Sequence, residues 1–150
     1  MRILSTFSML AVIALAGALS AAAASAQTTT PKPGDIVWTP VPGPGKKCAL
    51  NDDYYFKYEF NEKPKMGMSI LKIQVFDKKN NQVVPFKITG RSDMLSMRGA
   101  HDSGDVEFKL NRKNDYLLPV NVVMPGDWEI RVIVLLNDQA VFHGSIRFDV

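Results

Sequence analysis

The sequence predicts an all-β protein built as a single antiparallel β-sandwich of about seven strands. Apolar and polar residues alternate with a period of two in one window after another, which is typical of strands that bury one face. Turn residues (Asn, Asp, Gly and Pro) separate these windows at a spacing of roughly ten residues. No window after the N-terminal apolar run keeps a helical period.

In each predicted strand the apolar residues occupy every second position, so they lie on one face. The segment 54–60 shows the pattern, because four aromatic residues alternate there with Tyr55, Lys57 and Glu59. Trp128 follows a Pro-Gly-Asp turn and is predicted to anchor the core. The residues predicted to face the core are Tyr54, Phe56, Tyr58, Phe60, Leu71, Ile73, Val75, Val84, Phe86, Ile88, Val106, Phe108, Leu110, Tyr116, Leu118, Val120, Val122, Met124, Trp128, Ile130, Val132, Val134, Phe142, Ile146, Phe148 and Val150.

The composition changes twice along the chain, and these changes predict three segments. Residues 1–26 combine Arg2, a short apolar run and the small-residue series Ala24-Ser25-Ala26, which is typical of a cleaved secretory signal peptide. Residues 27–47 form a Pro/Gly-rich leader with at most one short edge strand near Ile36-Val37-Trp38. Residues 48–150 form the sandwich. We therefore expect a periplasmic protein; an uncleaved N-terminal anchor is the alternative.

The net charge and the cysteine content restrict the kinds of partner and of cross-link that we expect. The formal net charge is +3 and the lysines are scattered through turns, so we expect no nucleic-acid partner. Cys48 is the single cysteine, which excludes an intramolecular disulfide. It is either a small side chain packed at the edge of the first strand or a free thiol available to a metal or a partner. His143 has polar parity in the last strand, and we expect it to be exposed.

The sequence contains no recognisable catalytic motif. It has two histidines, neither in a nucleophile context, and it has neither a G-x-S-x-G elbow nor a phosphate-cradling glycine loop. A catalytic zinc site normally needs three protein ligands of the His, Cys or carboxylate type. We therefore predict that the protein is not an enzyme, and we identify no small-molecule substrate.

The stretch SDMLSMRGAHDSGD, residues 92–105, contains the principal candidate site. It is predicted to connect the Phe86 and Phe108 strands, and it contains Met94, Met97 and His101. Thioether and imidazole ligands suit copper, above all Cu(I), because soft donors favour a soft ion. Methionine is equally a flexible side chain that fills gaps in a core. Both interpretations remain open.

Met66 and Met68 are secondary candidates for the same chemistry. They flank Gly67 at the start of a strand and have the parity opposite to its apolar core face. Two explanations remain open. Either Gly67 marks a β-bulge that resets the register, or the two methionines lie on the face away from the core, where they are available to a ligand or a partner.

Two segments resemble a known family. Residues 116–150, with Met124-Pro125-Gly126-Asp127-Trp128, look like the C-terminal part of the YtkA-like and FixH-like exported domains, and residues 63–85 are similar to a strand-entry segment of the same families. The resemblance implies an immunoglobulin-like sandwich and an accessory role in respiratory oxidase assembly and copper handling. It also implies a Met/His segment at residues 94–101. The partner would be a membrane or envelope complex. The alternative is a metal-free protein–protein interaction module of the periplasm.

Overall fold

A computed structural model of the protein describes residues 35–150, and this range contains ten β-strands and no α-helix. None of the described residues forms a helix long and apolar enough to cross a membrane. The predicted signal peptide and the first part of the leader, residues 27–34, lie outside the described residues. The strands are β1 Thr39–Pro40, β2 Cys48–Ala49, β3 Tyr54–Phe60, β4 Gly67–Asp77, β5 Phe86–Met94, β6 Val106–Glu107, β7 Lys109–Leu110, β8 Tyr116–Val122, β9 Asp127–Leu136 and β10 Gln139–Asp149.

The strands form two five-stranded sheets, which confirms the predicted β-sandwich. Sheet A has the order β1-β10-β9-β5-β6, and sheet B has the order β2-β3-β4-β8-β7. All neighbours are antiparallel except β1 and β10, which are parallel. Six strands have seven or more residues and four strands have two residues each, whereas the sequence predicted about seven strands.

The core lies between the sheets, where alternate residues of the long strands meet. Edge-to-face aromatic pairs cross it: Phe56 lies 5.6 Å from Phe142 and Phe60 lies 5.1 Å from Phe148, measured between ring centroids. Such pairs stabilise a core beyond the area they bury. Trp128 is buried in this cluster, as predicted.

The segment 106–110 differs from the prediction of one strand with three buried residues. It is two short strands in different sheets, because β6 pairs with β5 while β7 pairs with β8. Phe108, between them, is buried, but Val106 and Leu110 are exposed. The chain therefore crosses from one sheet to the other here. For this reason the alternation of apolar and polar residues in this segment does not predict which side chains are buried. Val84 is also exposed and precedes its strand.

In the described part of the leader, residues 35–47, the edge strand of sheet A is Thr39–Pro40, just after the predicted position. Trp38 contacts His143 edge to face, with 5.5 Å between ring centroids. His143 is therefore half-buried and not exposed as predicted. Cys48 is buried, and burial raises the pKa of its thiol. This supports the interpretation of Cys48 as a packed side chain.

Strand β5 extends further than expected and includes the first part of the candidate stretch 92–105. Its inward positions continue from Phe86 and Ile88 through Gly90 and Ser92 to Met94, all of them buried. A Cβ atom on Gly90 would lie only 2.6 Å from Leu118 Cδ2. The side chains of Leu118 and Phe108 fill the space that a side chain at this position would need. The connecting loop consequently begins at Leu95.

Candidate functional site

All methionines of residues 35–150 lie at one end of the sandwich, which we call the methionine end. Strand β4 begins at Gly67 opposite Val122 of β8, and β5 ends at Met94 opposite Trp128 of β9. The five residues that define this end are Met66, Met68, Met94, Met97 and Met124.

Met94 is the buried methionine of the methionine end. Met94 is only 5% exposed and belongs to the core cluster. Its Cε atom occupies the space that a Cβ atom on Gly126 would need. Met97, three residues later, is 45% exposed. The predicted trio of Met94, Met97 and His101 is thus divided, because Met94 fills the core.

The secondary candidates lie where a ligand can reach them. The pairing of β4 with β8 continues from Gly67 to Ile73 without a shift, so no bulge resets the register. Met66 and Met68 are 55% and 57% exposed, and Met68 lies on the outer face of sheet B. Of the two explanations that the sequence left open, the structure supports the second.

A surface groove brings Met68 and His101 together. Its volume is about 340 Å³. His101 is half-buried, and its ring centroid lies 6.3 Å from that of Trp128. The groove is lined by Met68, Ser92, His101, Asp102, Ser103, Pro119, Asn121 and Val123. A thioether and an imidazole therefore border the same space, although 33 positions separate them in the sequence.

The donors at this end match a soft ion better than a hard one. No three His, Cys, Asp or Glu side chains among residues 35–150 are placed to hold a metal ion. A zinc or calcium site normally requires such a group. What this end offers is the imidazole of His101 and the exposed thioethers of Met66, Met68 and Met97, a donor set that suits Cu(I).

The loop 95–105 is an ordered cover on the outer face of sheet A. Leu95 donates its backbone N–H to Asp127 O at 2.8 Å. The Ser96 hydroxyl donates to Asp127 Oδ1 at 2.6 Å, and the Gly99 N–H donates to Asp93 Oδ2 at 2.9 Å. Gly99 has a φ of 82°, a conformation that favours glycine. These bonds fix the loop above β9.

Beneath this loop lies a buried carboxylate, Glu129, whose side chain is 2% exposed although it faces away from the core. Its Oε1 accepts a hydrogen bond from the Ser145 hydroxyl at 2.5 Å. Three guanidinium groups surround it. Arg98 Nη2 lies 2.6 Å from Oε2, Arg131 Nε lies 3.1 Å from Oε2, and Arg147 Nε lies 3.3 Å from Oε1.

These ion pairs change the acidity of Glu129. Burial alone would raise its pKa, because it disfavours the charged form. The hydrogen bonds from Ser145 and Arg98, with the charges of Arg98 and Arg131, outweigh burial and lower the pKa from 4.5 to about 2. Glu129 therefore remains ionised at any ordinary pH.

The register of sheet A places like charges directly opposite each other. Arg91 of β5 pairs with Arg131 of β9, and two residues further along β5 Asp93 pairs with Glu129. Like charges at such positions repel. Arg91 is compensated by Asp102, to which its Nε donates at 2.7 Å, and this bond lowers the pKa of Asp102. We call the outer surface of sheet A around Glu129, with Arg91, Arg98, Arg131 and Arg147, the arginine face.

Sequence reasoning placed Glu129 and Arg131 on the polar side of β9 but did not identify the arginine face. The alternation within β9 and β10 gives the correct side for Glu129, Arg131 and Arg147. The cluster forms only when β5, β9 and β10 are in register and a loop residue, Arg98, lies above them. The alternation of polar and apolar residues along one strand gives neither the register between strands nor the position of a loop.

Searches for related proteins add no further assignment. Neither the scan against models of protein families nor the search of curated proteins found a match to this chain. The resemblance to the YtkA-like and FixH-like domains therefore stays a prediction from the sequence motifs.

Proposed function

We propose that the protein is an exported, non-enzymatic accessory protein that binds Cu(I) at the methionine end. The observation that carries this proposal is the groove shared by Met68 and His101. The predicted signal peptide and the family resemblance support export and the accessory role. The copper would be held for transfer or assembly and would not take part in a reaction on this chain.

The donors assigned to copper are the accessible ones. Met68 and His101 border one groove, and Met66 and Met97 are exposed at the same end. Thioethers need no deprotonation to bind, so they retain their affinity at mildly acidic pH. Met94 does not join this set, since ligation would require its withdrawal from the core.

A Cu(I) titration of the chain beginning at Gln27, under reducing conditions, tests this assignment. We expect Met68→Leu and His101→Gln each to weaken binding. Met94→Leu is the matched control, because it removes a thioether from the same end and keeps the core filled. The double variant Met94→Leu/Met97→Leu shows whether the exposed Met97 contributes. Equal affinity of the wild type and Met68→Leu, or wild-type binding weaker than micromolar, contradicts the copper proposal.

A metal-free interaction module is the second candidate function, and a specific observation favours it. Met66, Met68 and Val123 are three exposed apolar side chains at the methionine end, and grouped apolar residues on a surface are common at binding sites. The partner would be a membrane or envelope complex. Co-purification from membranes in the presence of a Cu(I) chelator separates the two candidate functions. An interaction module should retain its partner when copper is removed, and the double variant Met66→Ser/Met68→Ser should lose that partner.

A further inference from the structure

The arginine face contains a cavity that the copper proposal does not use. It lies between β5, β9 and the loop 95–105 and has a volume of about 260 Å³. Its charged lining consists of Arg91, Asp93, Arg98, Asp102, Glu129 and Arg131. The cavity is preformed, because backbone and side-chain hydrogen bonds hold the loop in place.

A second, less polar cavity adjoins the first. Its volume is about 180 Å³, and it shares Arg91 and Arg131 with the charged cavity. Its apolar wall is formed by Trp38 and Ile36 of the leader and by Ile133 of β9. The Arg131 guanidinium carbon lies 5.1 Å from the centre of the Trp38 ring, a cation–π contact. Arg131 thus borders both cavities, and the second one has Thr89, Arg91 and Asp105 in its lining beside the apolar wall.

The arginines retain hydrogen-bonding capacity beyond what Glu129 uses. Within residues 35–150, Arg131 and Arg147 each donate to Glu129 through Nε. A guanidinium group has five N–H donors in a planar fork, so both arginines still have donors on their terminal nitrogens. Their side chains are 37% and 66% exposed, which leaves these donors accessible from solvent, and of the two arginines Arg131 lines both cavities.

From this arrangement we infer that the arginine face binds a carboxylate of a partner protein, within an extended segment that has an Asp or Glu next to an apolar residue. The carboxylate would pair with the terminal nitrogens of Arg131, which borders both cavities, since a planar guanidinium fits a planar carboxylate in a two-bond geometry. The neighbouring apolar side chain would lie against Trp38 and Ile133.

The charge balance of the cavity determines what kind of anion it selects. Asp93, Asp102 and Glu129 line the cavity together with three arginines, so the formal charges of the lining cancel. Such a site exerts little long-range attraction on anions in general. Recognition then depends on short-range paired hydrogen bonds and on the apolar wall, which favours a peptide over inorganic phosphate.

Calorimetric titration with short blocked peptides tests the inference. One peptide has a single Glu next to a Leu, the second replaces the Glu by Gln, and inorganic phosphate is the third ligand. A Cu(I) chelator is present throughout, so the result does not depend on the copper proposal. We expect the Glu peptide to bind and the Gln peptide to bind roughly tenfold more weakly or not at all, because it lacks the charge-assisted hydrogen bonds.

Two conservative variants locate the site. Arg131→Lys keeps the charge but loses the planar fork and the stacking on Trp38, and we expect it to weaken binding of the Glu peptide roughly tenfold. Arg112→Lys changes an exposed arginine in the turn before β8 and should bind as the wild type does. Thermal unfolding confirms that each variant is folded.

Three results would overturn the inference. The first is equal binding of the Glu and Gln peptides, or binding of neither at millimolar concentration. The second is unchanged affinity in a folded Arg131→Lys variant. The third is phosphate binding as tight as that of the Glu peptide, which would indicate a general oxyanion site and not a peptide site.

Discussion

Replacing Glu129 by Gln tests the electrostatic description of the arginine face, and the expected effect has a defined pH dependence. The folded-state pKa of Glu129 is about 2, below its ordinary value of 4.5. A depressed pKa means that folding favours the ionised form. The stability it contributes is therefore complete above about pH 5 and is lost as the pH falls towards about 2.

The size of this contribution follows from the difference between the two pKa values. At 1.36 kcal/mol per pKa unit, a fall from 4.5 to about 2 corresponds to roughly 3 kcal/mol. Water reaches the surrounding arginines, whose side chains are 39%, 37% and 66% exposed, and it screens their charges. We therefore expect Glu129→Gln to lower the free energy of unfolding by about 1–2 kcal/mol at pH 7.

Urea denaturation of the wild type and of Glu129→Gln at pH 7, 5, 4 and 3 measures this difference. Carboxylates with a lowered pKa that share no partner with Glu129, such as Asp77 and Asp115, titrate in both proteins and cancel in the comparison. Glu107→Gln is the control. Glu107 is 60% exposed and lies 3.4 Å from Lys87, so its replacement should change stability by less than about 0.5 kcal/mol. A stability difference between wild type and Glu129→Gln that is the same at pH 3 and pH 7 would refute the reasoning.

Three further substitutions test the packing, each by thermal or chemical unfolding. Met94→Ala should destabilise the fold by about 2–4 kcal/mol because it opens a core cavity, whereas Met97→Ala should cost less than about 0.5 kcal/mol; similar effects would contradict the assignment of Met94 to the core. Gly90→Ala should cost about 1–3 kcal/mol, because its Cβ atom would lie 2.6 Å from Leu118 Cδ2, and unchanged stability would show that the Leu118 and Phe108 side chains can shift to make room. Trp38→Ala should increase the amide exchange of Val41, whose N–H donates to Ser145 O at 2.9 Å, while the exchange of β9 remains slow; unchanged exchange at Val41 would show that Trp38 does not hold this segment on β10.

The sequence predicted the long strands because each one buries a single face against the opposite sheet. The period of two is therefore directly visible in segments such as 54–60 and 128–134. It fails where the inward residue is not apolar. Gly90 and Ser92 are inward positions of β5 that hide its continuation to Met94. For this reason the sequence placed Met94 in the connecting loop, whereas it is the last residue of β5.

The arginine face could not be predicted for a different reason. Parity identifies the side of a sheet on which Glu129 lies, but burial on that side depends on what covers it. The cover is the loop 95–105, which contributes Arg98, and its position depends on contacts such as that of Ser96 with Asp127. These contacts join residues about 30 positions apart, so no local window contains them.

The loop 95–105 connects the two candidate surfaces. Arg98 pairs with Glu129 on the arginine face, and three residues later His101 lines the groove at the methionine end. Asp102 belongs to both, because it accepts hydrogen bonds from Arg91 and also borders the groove. A substitution that breaks the ion pair of Arg98 also frees the loop that positions His101. A change in copper affinity in such a variant would therefore not show that the arginine face contains a copper ligand. Met68→Leu avoids this ambiguity, because Met68 lies on β4 of the opposite sheet and its position does not depend on the loop.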